Sequence, residues 1–340
     1  LVITKEVTEN QRLALMIPEY KDTNRYTFSG VDGDSVKLWA ERQEVIFKYA
    51  PDYETKNSYN FIMTVTNAME QTKDIDITIN IKDISNAFIF EVLEGSEGEL
   101  SLVINHDAQE MFDDYSFEIY KGDDENPEFD IDRSGNVAEE RIVLKSLDDG
   151  MGEVQRYTIK PTSTNGLPGI KIRPNHAVVK IKVIQWGDNA WKSLNDMFSG
   201  VCFTGDAYNA LSLSFSEELG APNLSETTNM SSALSNCDLV DNLSYWDTSN
   251  AINMKNLFRL NDLGGLLEFD SSFNADLSQW DTSSVETMGS MFEGAKMFEQ
   301  DISGWDVGNV TDCENFKEGA LLLSDVYTPS FQGCSQNPMP

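Results

Sequence analysis

The sequence contains little histidine and few basic residues, and it lacks the motifs that most enzymes use. Only 2 of its 340 residues are histidine, and it has no nucleophile elbow, no phosphate-binding loop and no HExxH helix. With 57 aspartates and glutamates, acidic pairs occur near any position by chance, so they do not indicate glycosidase chemistry. We therefore predict that the protein is not an enzyme.

The shortage of positive charge excludes two classes of partner. Lys and Arg total 25 against 57 Asp and Glu, which gives a formal net charge of −32. Nucleic acids and anionic membrane surfaces are bound through clustered basic residues. A membrane-spanning helix needs roughly 18 or more consecutive apolar residues. The sequence contains no such run, and we therefore predict no membrane insertion within this chain.

Leu1 is not an initiating residue, and we expect a longer protein whose export signal and anchor lie elsewhere.

Cysteine is also scarce, and its positions suggest two disulfides. In the repeat register described below, Cys202 and Cys237 fall one residue apart in adjacent units, and Cys313 precedes Cys334 near the end of the chain. We predict the bridges Cys202–Cys237 and Cys313–Cys334, which imply an oxidising compartment. The alternative is four buried free thiols, since cysteine is an ordinary core residue.

The most informative feature that is present is a repeat between residues 276 and 316. Trp280 recurs as Trp305 at a spacing of 25 residues, and the neighbouring apolar positions recur with it. A fixed period in the twenties is typical of a solenoid, in which each unit buries its apolar face against its neighbours. When the position of Trp280 is traced toward the N-terminus, equivalent positions of successive repeats are 36, 24, 34 and 25 residues apart. The residues beyond the basic length of 24–25 are predicted to form loops at about 203–216 and 259–270.

Within one repeat the apolar period changes. Leu277, Trp280 and Val285 lie in a turn-rich run, and the apolar residues after them follow helical i, i+3, i+4, i+7 spacing, at Met288, Met291, Phe292 and Ala295. The pattern predicts one short strand and one short helix in each repeat.

These residues resemble a known family. WDTSSVETMGSMFEGAKMF and ISGWDVGNVTDC resemble the repeat of the BspA-like leucine-rich-repeat surface proteins of bacteria, and VIQWGDNAWKSLNDMFSG resembles their entry unit. The resemblance implies an extracellular α/β leucine-rich-repeat solenoid over 186–334, followed by a tail at 335–340. It also implies adhesion to a protein, peptide or glycan on a host or microbial surface.

Stacked repeats align equivalent residues in columns, which is how solenoids bind extended ligands. If Leu277, Trp280 and Thr282 point inward, the outward neighbours form the candidate ligand-binding set, which is Tyr245, Asp247, Gln279, Asp281 and Asp306. The structural alternative is that these aspartates fold a turn or cap a helix, since Ser283 and Glu286 have capping-box spacing. The recurring tryptophans are likewise interpreted as core residues rather than as a platform for sugars.

Residues 1–84 alternate polar and apolar residues in the manner of a β-sandwich of some seven strands, including 59–65 and 75–81. VTEN, APDYET and TINIKDIS resemble segments of bacterial cadherin-like domains. By that resemblance, a Ca2+ site is implied with the carboxylates Glu9, Asp52, Glu54 and Asp83. The alternative is that these are solvated turn residues.

Residues 85–185 predict a second, acidic Ig- or cadherin-like β-sandwich. Its segment 91–153 holds 20 acidic residues against 4 basic ones. FDIDRSGN at 129–136 has Asp130 and Asp132 before Gly135 but lacks the third acidic position and the closing Glu of a calcium loop, and we interpret it as a strand and turn.

The predicted fold is therefore multidomain, with two all-β sandwiches followed by a short α/β leucine-rich-repeat solenoid. We predict a non-enzymatic adhesin of a bacterial cell surface. Two alternatives remain at this stage: a calcium-stiffened spacer of a large adhesin, and a polysaccharide-binding module of a secreted enzyme.

Overall fold

The computed structural model describes most of the chain. The described residues are 2–8, 13–17, 20–21, 23–40, 42–49, 51, 56–82, 86–93, 99–105, 115–122, 127–133, 139–146, 154–162, 167, 169–175, 181–202, 213–215, 220–237, 243–260 and 273–334. The contacts divide into two compact units. The first consists of 1–85 with 220–222 and 245–247, and the second of 86–219, 223–244 and 248–340.

The first unit contains two β-sheets. Its seven strands are β1 (Val2–Thr8), β2 (Leu13–Met16), β3 (Arg25–Ser29), β4 (Val36–Trp39), β5 (Glu44–Phe47), β6 (Ser58–Thr66) and β7 (Thr72–Lys82). One sheet has the order β1-β7-β6-β3 and the other β2-β5-β4, and a short 3-10 helix, Gly33–Ser35, precedes β4. The predicted all-β fold and its two clearest strands are confirmed.

Period-two alternation explains the core of the first unit. Phe61 and Met63 of β6 are buried, as are Ile75, Ile77 and Ile79 of β7. Successive side chains of a strand point to opposite faces of the sheet, so one face of the β6–β7 pair packs against the other sheet and the second face meets solvent.

The second unit begins with nine further strands. They are β8 (Phe88–Val92), β9 (Glu99–Asn105), β10 (Tyr115–Lys121), β11 (Phe129–Arg133), β12 (Glu139–Ser146), β13 (Gln155–Pro161), β14 (Gly169–Asn175), β15 (Ile181–Gln185) and β16 (Leu213–Phe215). The sheet orders are β11-β10-β13-β8-β15-β16 and β12-β9-β14. The strand predicted within FDIDRSGN is present as β11. The calcium-loop alternative involves Gly135, which lies outside the described residues.

Two strands of this unit were not predicted. The sequence of β14 contains Gly169 and Pro174, which disfavour strands, but Ile170 and Ile172 are fully buried and pair with β9. β16 lies in the segment predicted as the loop 203–216, where Leu213 and Phe215 pair in parallel with β15. The edge of β15 carries backbone groups that can pair with another segment of the chain. A local sequence pattern does not reveal such an edge, so β16 could not be predicted from its own residues.

Five coils follow, each joined to the next by a single-residue parallel bridge. The bridged pairs are Ser193–Asn229, Asn229–Asn253, Asn253–Thr287 and Thr287–Asp312, at separations of 36, 24, 34 and 25 residues. These are the spacings that the tryptophan frame predicts. The predicted loop 259–270 lies outside the described residues after Leu260.

The predicted helix in each repeat is wrong for the coils that the structure describes. The only α-helix among the described residues is α1 (Ser199–Cys202), and the corresponding segments of later coils form successive turns. Met288, Met291, Phe292 and Ala295 are buried as the helical spacing requires, but Ser290 has φ +53° and Gly294 has φ +76°. A left-handed residue interrupts an α-helix, and the amides between these turns bond to the next coil instead.

Side chains also join the coils through their interior. Trp280 Nε1 donates to Leu243 O (2.8 Å) and Trp305 Nε1 to Leu277 O (3.1 Å). Thr248 Oγ1 donates to Asp281 O and Thr282 Oγ1 to Asp306 O, both at 2.9 Å. Each of these four side-chain donors therefore finds its acceptor in a neighbouring coil, as a buried hydrogen-bonding group requires.

A disulfide and an aromatic contact close the last coil. Cys313 and Cys334 are bonded, with their Cα atoms 5.8 Å apart, which confirms one predicted bridge. Phe331 packs edge-on against Phe316, with ring centroids 5.0 Å apart. Cys237 is also disulfide-bonded. The side chain of its predicted partner, Cys202, lies outside the described residues.

Candidate functional site

The candidate surface carried by the second unit itself is a column of two aspartates, Asp281 and Asp306. They occupy the same place in consecutive coils, because Thr282, which follows Asp281, donates to the carbonyl of Asp306. Both carboxylates are exposed, and Gln279 beside them is half-buried. The predicted inward residues, Leu277, Trp280 and Thr282, are buried.

Each aspartate of the column also folds its own turn. Asp281 Oδ1 accepts from the Ser283 amide (3.0 Å) and from Ser283 Oγ (2.7 Å), and Asp306 Oδ1 accepts from the Gly308 amide (2.9 Å). This is the Asx-turn, in which a short side chain bonds the backbone two residues on. The predicted structural role is thus present as a turn rather than as a helix cap, because no helix follows Ser283 and Glu286 in this coil.

The turn uses one carboxylate oxygen of each aspartate. Among the described residues, the Oδ2 atoms of Asp281 and Asp306 have no hydrogen-bond donor. Each side chain can therefore hold its turn and still present a charged oxygen to solvent. The structural and the ligand-binding interpretations are compatible at these two positions.

Tyr245 and Asp247, the other predicted members of the set, belong to the first unit. There the Tyr245 hydroxyl donates to Glu44 Oε2 (2.9 Å), and its ring lies edge-on to Trp39 at 6.0 Å between centroids. The hydroxyl of Tyr245 therefore already has a buried acceptor. Asp247 is half-buried and makes interactions of its own.

The recurring tryptophans form part of the core. Trp246, Trp280 and Trp305 are 2%, 4% and 6% exposed. The rings of Trp280 and Trp305 stack at 6.3 Å with an interplanar angle of 5°. They therefore present no aromatic face for a sugar to stack on.

A second acidic column was missed by the sequence interpretation. Asp276 Oδ1 accepts from the Ser278 amide and Asp301 Oδ1 from the Ser303 amide, both at 3.0 Å. The hydrogen bonds from the Ser303 side chain and amide hold the pKa of Asp301 below its ordinary value. The signal was available, because Asp-x-Ser recurs at the 25-residue spacing. Each of these coils therefore presents two such turns.

The implied calcium ligands cannot be placed. Glu9, Asp52, Glu54 and Asp83 all lie outside the described residues, as do His106 and His176. In the part of the chain that is described, no group of three or more His, Cys, Asp and Glu side chains is arranged to hold a metal ion. No described helix has the length and apolar character needed to cross a membrane.

Residues 192–325 match the family described as "Mycoplasma protein of unknown function, DUF285". This match covers the coils and not the sandwiches. The matched family differs in name from the predicted BspA-like one. No curated protein matches the chain at a significant level.

Solved structures similar to this one include several cadherin-type proteins. Domains EC1-2 of human protocadherin-24 are 15% identical, with 25% of this chain and 43% of that chain covered and a TM-score of 0.21. Extracellular domains 1–4 of protocadherin gamma B7 are 11% identical, with coverages of 54% and 46% and a TM-score of 0.22. Zebrafish RET cadherin-like domains 1 to 4 are 12% identical, with coverages of 52% and 45% and a TM-score of 0.19. The chain spans less than half of each, and the fold assignment rests on the strand order and register given above.

Proposed function

We propose that this protein is a non-enzymatic, extracellular adhesion-type protein of a bacterial surface, and that its coils bind a protein, peptide or glycan on another cell. The observation that supports this most directly is the bridge ladder from Ser193 to Asp312, which joins five coils into one stack. A stack of this kind offers an extended surface to a ligand. The resemblance of the repeats to BspA-like proteins and the disulfide near the end of the chain agree with an extracellular role.

The ligand chemistry that best suits the aspartate column is cationic. Asp281 and Asp306 each expose a carboxylate oxygen in a protein whose net charge is −32. Lysine and arginine side chains are the natural partners of such oxygens. The stacked, buried tryptophans do not support the polysaccharide-binding alternative.

The test is binding of the full chain to immobilised peptide and glycan arrays, with paired variants. Asp281→Asn/Asp306→Asn removes two charges but retains the Oδ1 acceptor of each turn. Asp276→Asn/Asp301→Asn makes the same change at the second column and is the matched control. We expect the first pair to lose binding with an unchanged melting temperature and the second pair to retain it. Equal binding by both variants would exclude the column as the site.

Calcium remains part of the proposal, through the resemblance of residues 1–84 to cadherin-like domains. A melting temperature measured in calcium and in chelator tests it. A rise in calcium that is abolished in Asp52→Asn/Glu54→Gln would support the site. An identical melting temperature in both conditions would count against it.

A further inference from the structure

The last coil ends the stack with hydrogen-bond donors that have no acceptor among the described residues. In the coil before it, the amides of Met288, Ser290, Phe292 and Gly294 donate to the carbonyls of Asp312, Glu314, Phe316 and Glu318, at 2.7–2.8 Å. The same alternation occurs one coil earlier, from Met254 to Leu260. Every second amide of a coil therefore points toward the coil that follows it.

In the last coil the equivalent amides are those of Cys313, Asn315, Lys317 and Gly319. Within the described part of the chain these four N–H groups have no acceptor, whereas the carbonyls of Cys313, Asn315 and Lys317 accept from Phe316, Glu318 and Ala320 inside the same coil. The described backbone of this edge therefore presents N–H donors at alternate residues. Buried backbone donors in proteins are almost always paired, and Cys313 is fully buried.

Exposed apolar side chains follow these donors in the sequence. Leu321 is 75% exposed and Val326 is 76% exposed, and Leu322 and Tyr327 are also exposed. The disulfide and Phe331 contact the last coil at Cys313 and Phe316. We use the name terminal edge for residues 313–327, meaning the four amides together with these four apolar side chains.

The chemistry of the terminal edge selects among occupants. A second copy meeting it through the same edge would oppose donors with donors and would bring together two chains of charge −32. A small anion would meet the carboxylates of Glu314 and Glu318 as well as that net charge. A peptide backbone supplies neutral carbonyl acceptors at alternate residues, as strand addition to an open edge requires.

We propose that the terminal edge binds an extended segment of a partner protein that combines basic and apolar side chains. The partner backbone runs parallel to the last coil and its carbonyls accept from the four amides. Its apolar side chains cover Leu321, Leu322, Val326 and Tyr327, and its lysines or arginines face the surrounding carboxylates. This surface is separate from the aspartate column and does not depend on it.

Hydrogen exchange in the full chain tests the backbone pairing directly. The probe is an octapeptide of alternating lysine and valine, and the charge control is an octapeptide of alternating glutamate and valine. We expect the amides of 313, 315, 317 and 319 to exchange faster than those of 316, 318 and 320 in the free protein. Adding the basic peptide should slow the first set only, and the acidic peptide should slow neither.

Variants test the apolar part of the edge. Leu321→Ser/Leu322→Ser should weaken binding of the basic peptide about tenfold, and it should leave the melting temperature unchanged because both side chains are exposed. Val31→Ser/Met69→Ser, at exposed positions of the first unit, is the matched control and should bind normally. Asp281→Asn/Asp306→Asn should also bind normally, which separates this proposal from the column.

Three results would overturn the proposal. The first is slow exchange of the four amides in the free chain that becomes fast when residues 335–340 are removed, since the chain's own tail would then occupy the edge. The second is binding of the basic peptide that is insensitive to Leu321→Ser/Leu322→Ser. The third is equal protection by the acidic peptide, which would mean that charge does not select the partner.

Discussion

The first sandwich and the coil stack hold their backbones together in different ways. In the first unit β7 pairs with β1 along seven residues on one side and with β6 along nine on the other. In the stack, neighbouring coils share one bridged residue, alternate amide bonds and a few buried side-chain bonds to carbonyls. A sheet tolerates the loss of one contact because many equivalent ones remain. A coil depends on a few residues for which no others substitute.

The difference is clearest at positions where a turn must be left-handed. Asp196, Ser232, Asn256, Ser290 and Asn315 have positive φ at equivalent places in consecutive coils. Asn, Asp and Ser have short polar side chains that bond locally, and Asn and Asp adopt this conformation at lower cost than most other residues. In the strands, the backbone conformation suits almost any residue, and the choice of side chain is set by burial.

The largest effect is expected from Gly294→Ala. The glycine has φ +76°, and a Cβ there would lie 2.1 Å from the carbonyl oxygen of Leu260. We expect the coils to lose roughly 3–5 kcal/mol of stability from strain and overpacking together. Hydrogen exchange should show the loss within 243–334 and leave β1–β7 unaffected.

Gly304→Ala is the control for that change, because a Cβ at Gly304 meets nothing within 4 Å. It should alter stability by no more than about 0.5 kcal/mol. An equal effect of both substitutions would mean that the close approach to Leu260 is not what requires glycine.

The second prediction concerns closure of the stack. Cys334→Ser removes the disulfide between Cys313 and Cys334, which are 21 residues apart in sequence. We expect the free energy of unfolding of the coils to fall by about 3 kcal/mol. Chemical denaturation should show a lower midpoint for the coils and the same midpoint for the first unit. Ser330→Ala, an exposed change in the same segment, should have no effect. An unchanged coil midpoint in Cys334→Ser would show that Phe331 and its neighbours hold the end by themselves.

The third prediction removes one bond between coils. Thr282→Val keeps the shape of the side chain but leaves the carbonyl of Asp306 without its buried donor, which costs about 1–2 kcal/mol. Thr311→Val is the control, since the Thr311 hydroxyl donates to Glu286 O at the surface, where water replaces it. Equal unfolding free energies for the two variants would contradict a stack held by buried threonines.

The smallest change in unfolding free energy is expected in the second sandwich, on removal of the Tyr157 hydroxyl. Among the residues that the structure describes, the buried hydroxyl of Tyr157 has no hydrogen-bond partner. Burial, with a smaller contribution from the charge of Glu128, raises the pKa of Tyr157 to about 12. Tyr157→Phe should raise the unfolding free energy by up to about 1 kcal/mol, because an unsatisfied group is removed.

The same substitution has a pH signature. A pKa of Tyr157 that is higher in the folded state gives stability that is complete below pH 10 and is lost as the pH rises toward 12. Unfolding free energies measured from pH 9 to pH 12 should therefore fall less steeply in Tyr157→Phe. Tyr120→Phe, whose hydroxyl donates to Glu118, is the comparison and should be destabilised instead. A steeper fall in Tyr157→Phe would contradict this account.

Residue spacing alone predicted the register of the coils, because an aromatic that recurs must occupy an equivalent place when identical units stack. It also identified which side chains of a coil are buried, at Leu277, Trp280, Met288 and Phe292. It did not identify the backbone that buries them. Helical spacing and a series of turns place the same residues inward, and only the inter-coil hydrogen bonds at Ser290 and Gly294 distinguish the two.

Part of the aspartate column was predictable for the same reason. Asp281 and Asp306 recur at the repeat spacing, and the sequence placed both of them outward. Their second role as Asx-turn acceptors was also readable from the Ser or Gly two residues on. The grouping of Tyr245 with the first unit was not, because its acceptor, Glu44, is 201 residues away in the chain.

The sequence by itself determined the all-β character of the sandwiches, the spacing of the coils and the burial of the tryptophans. Each follows from a local period or from repetition, and both are properties of the chain before it folds. Tertiary structure decided the inclusion of β14 and β16, the replacement of helices by turns, and the row of amides at the terminal edge that have no acceptor among the described residues. These depend on which backbone groups lie opposite one another in space, and hydrogen bonds between segments far apart in sequence leave no local signal.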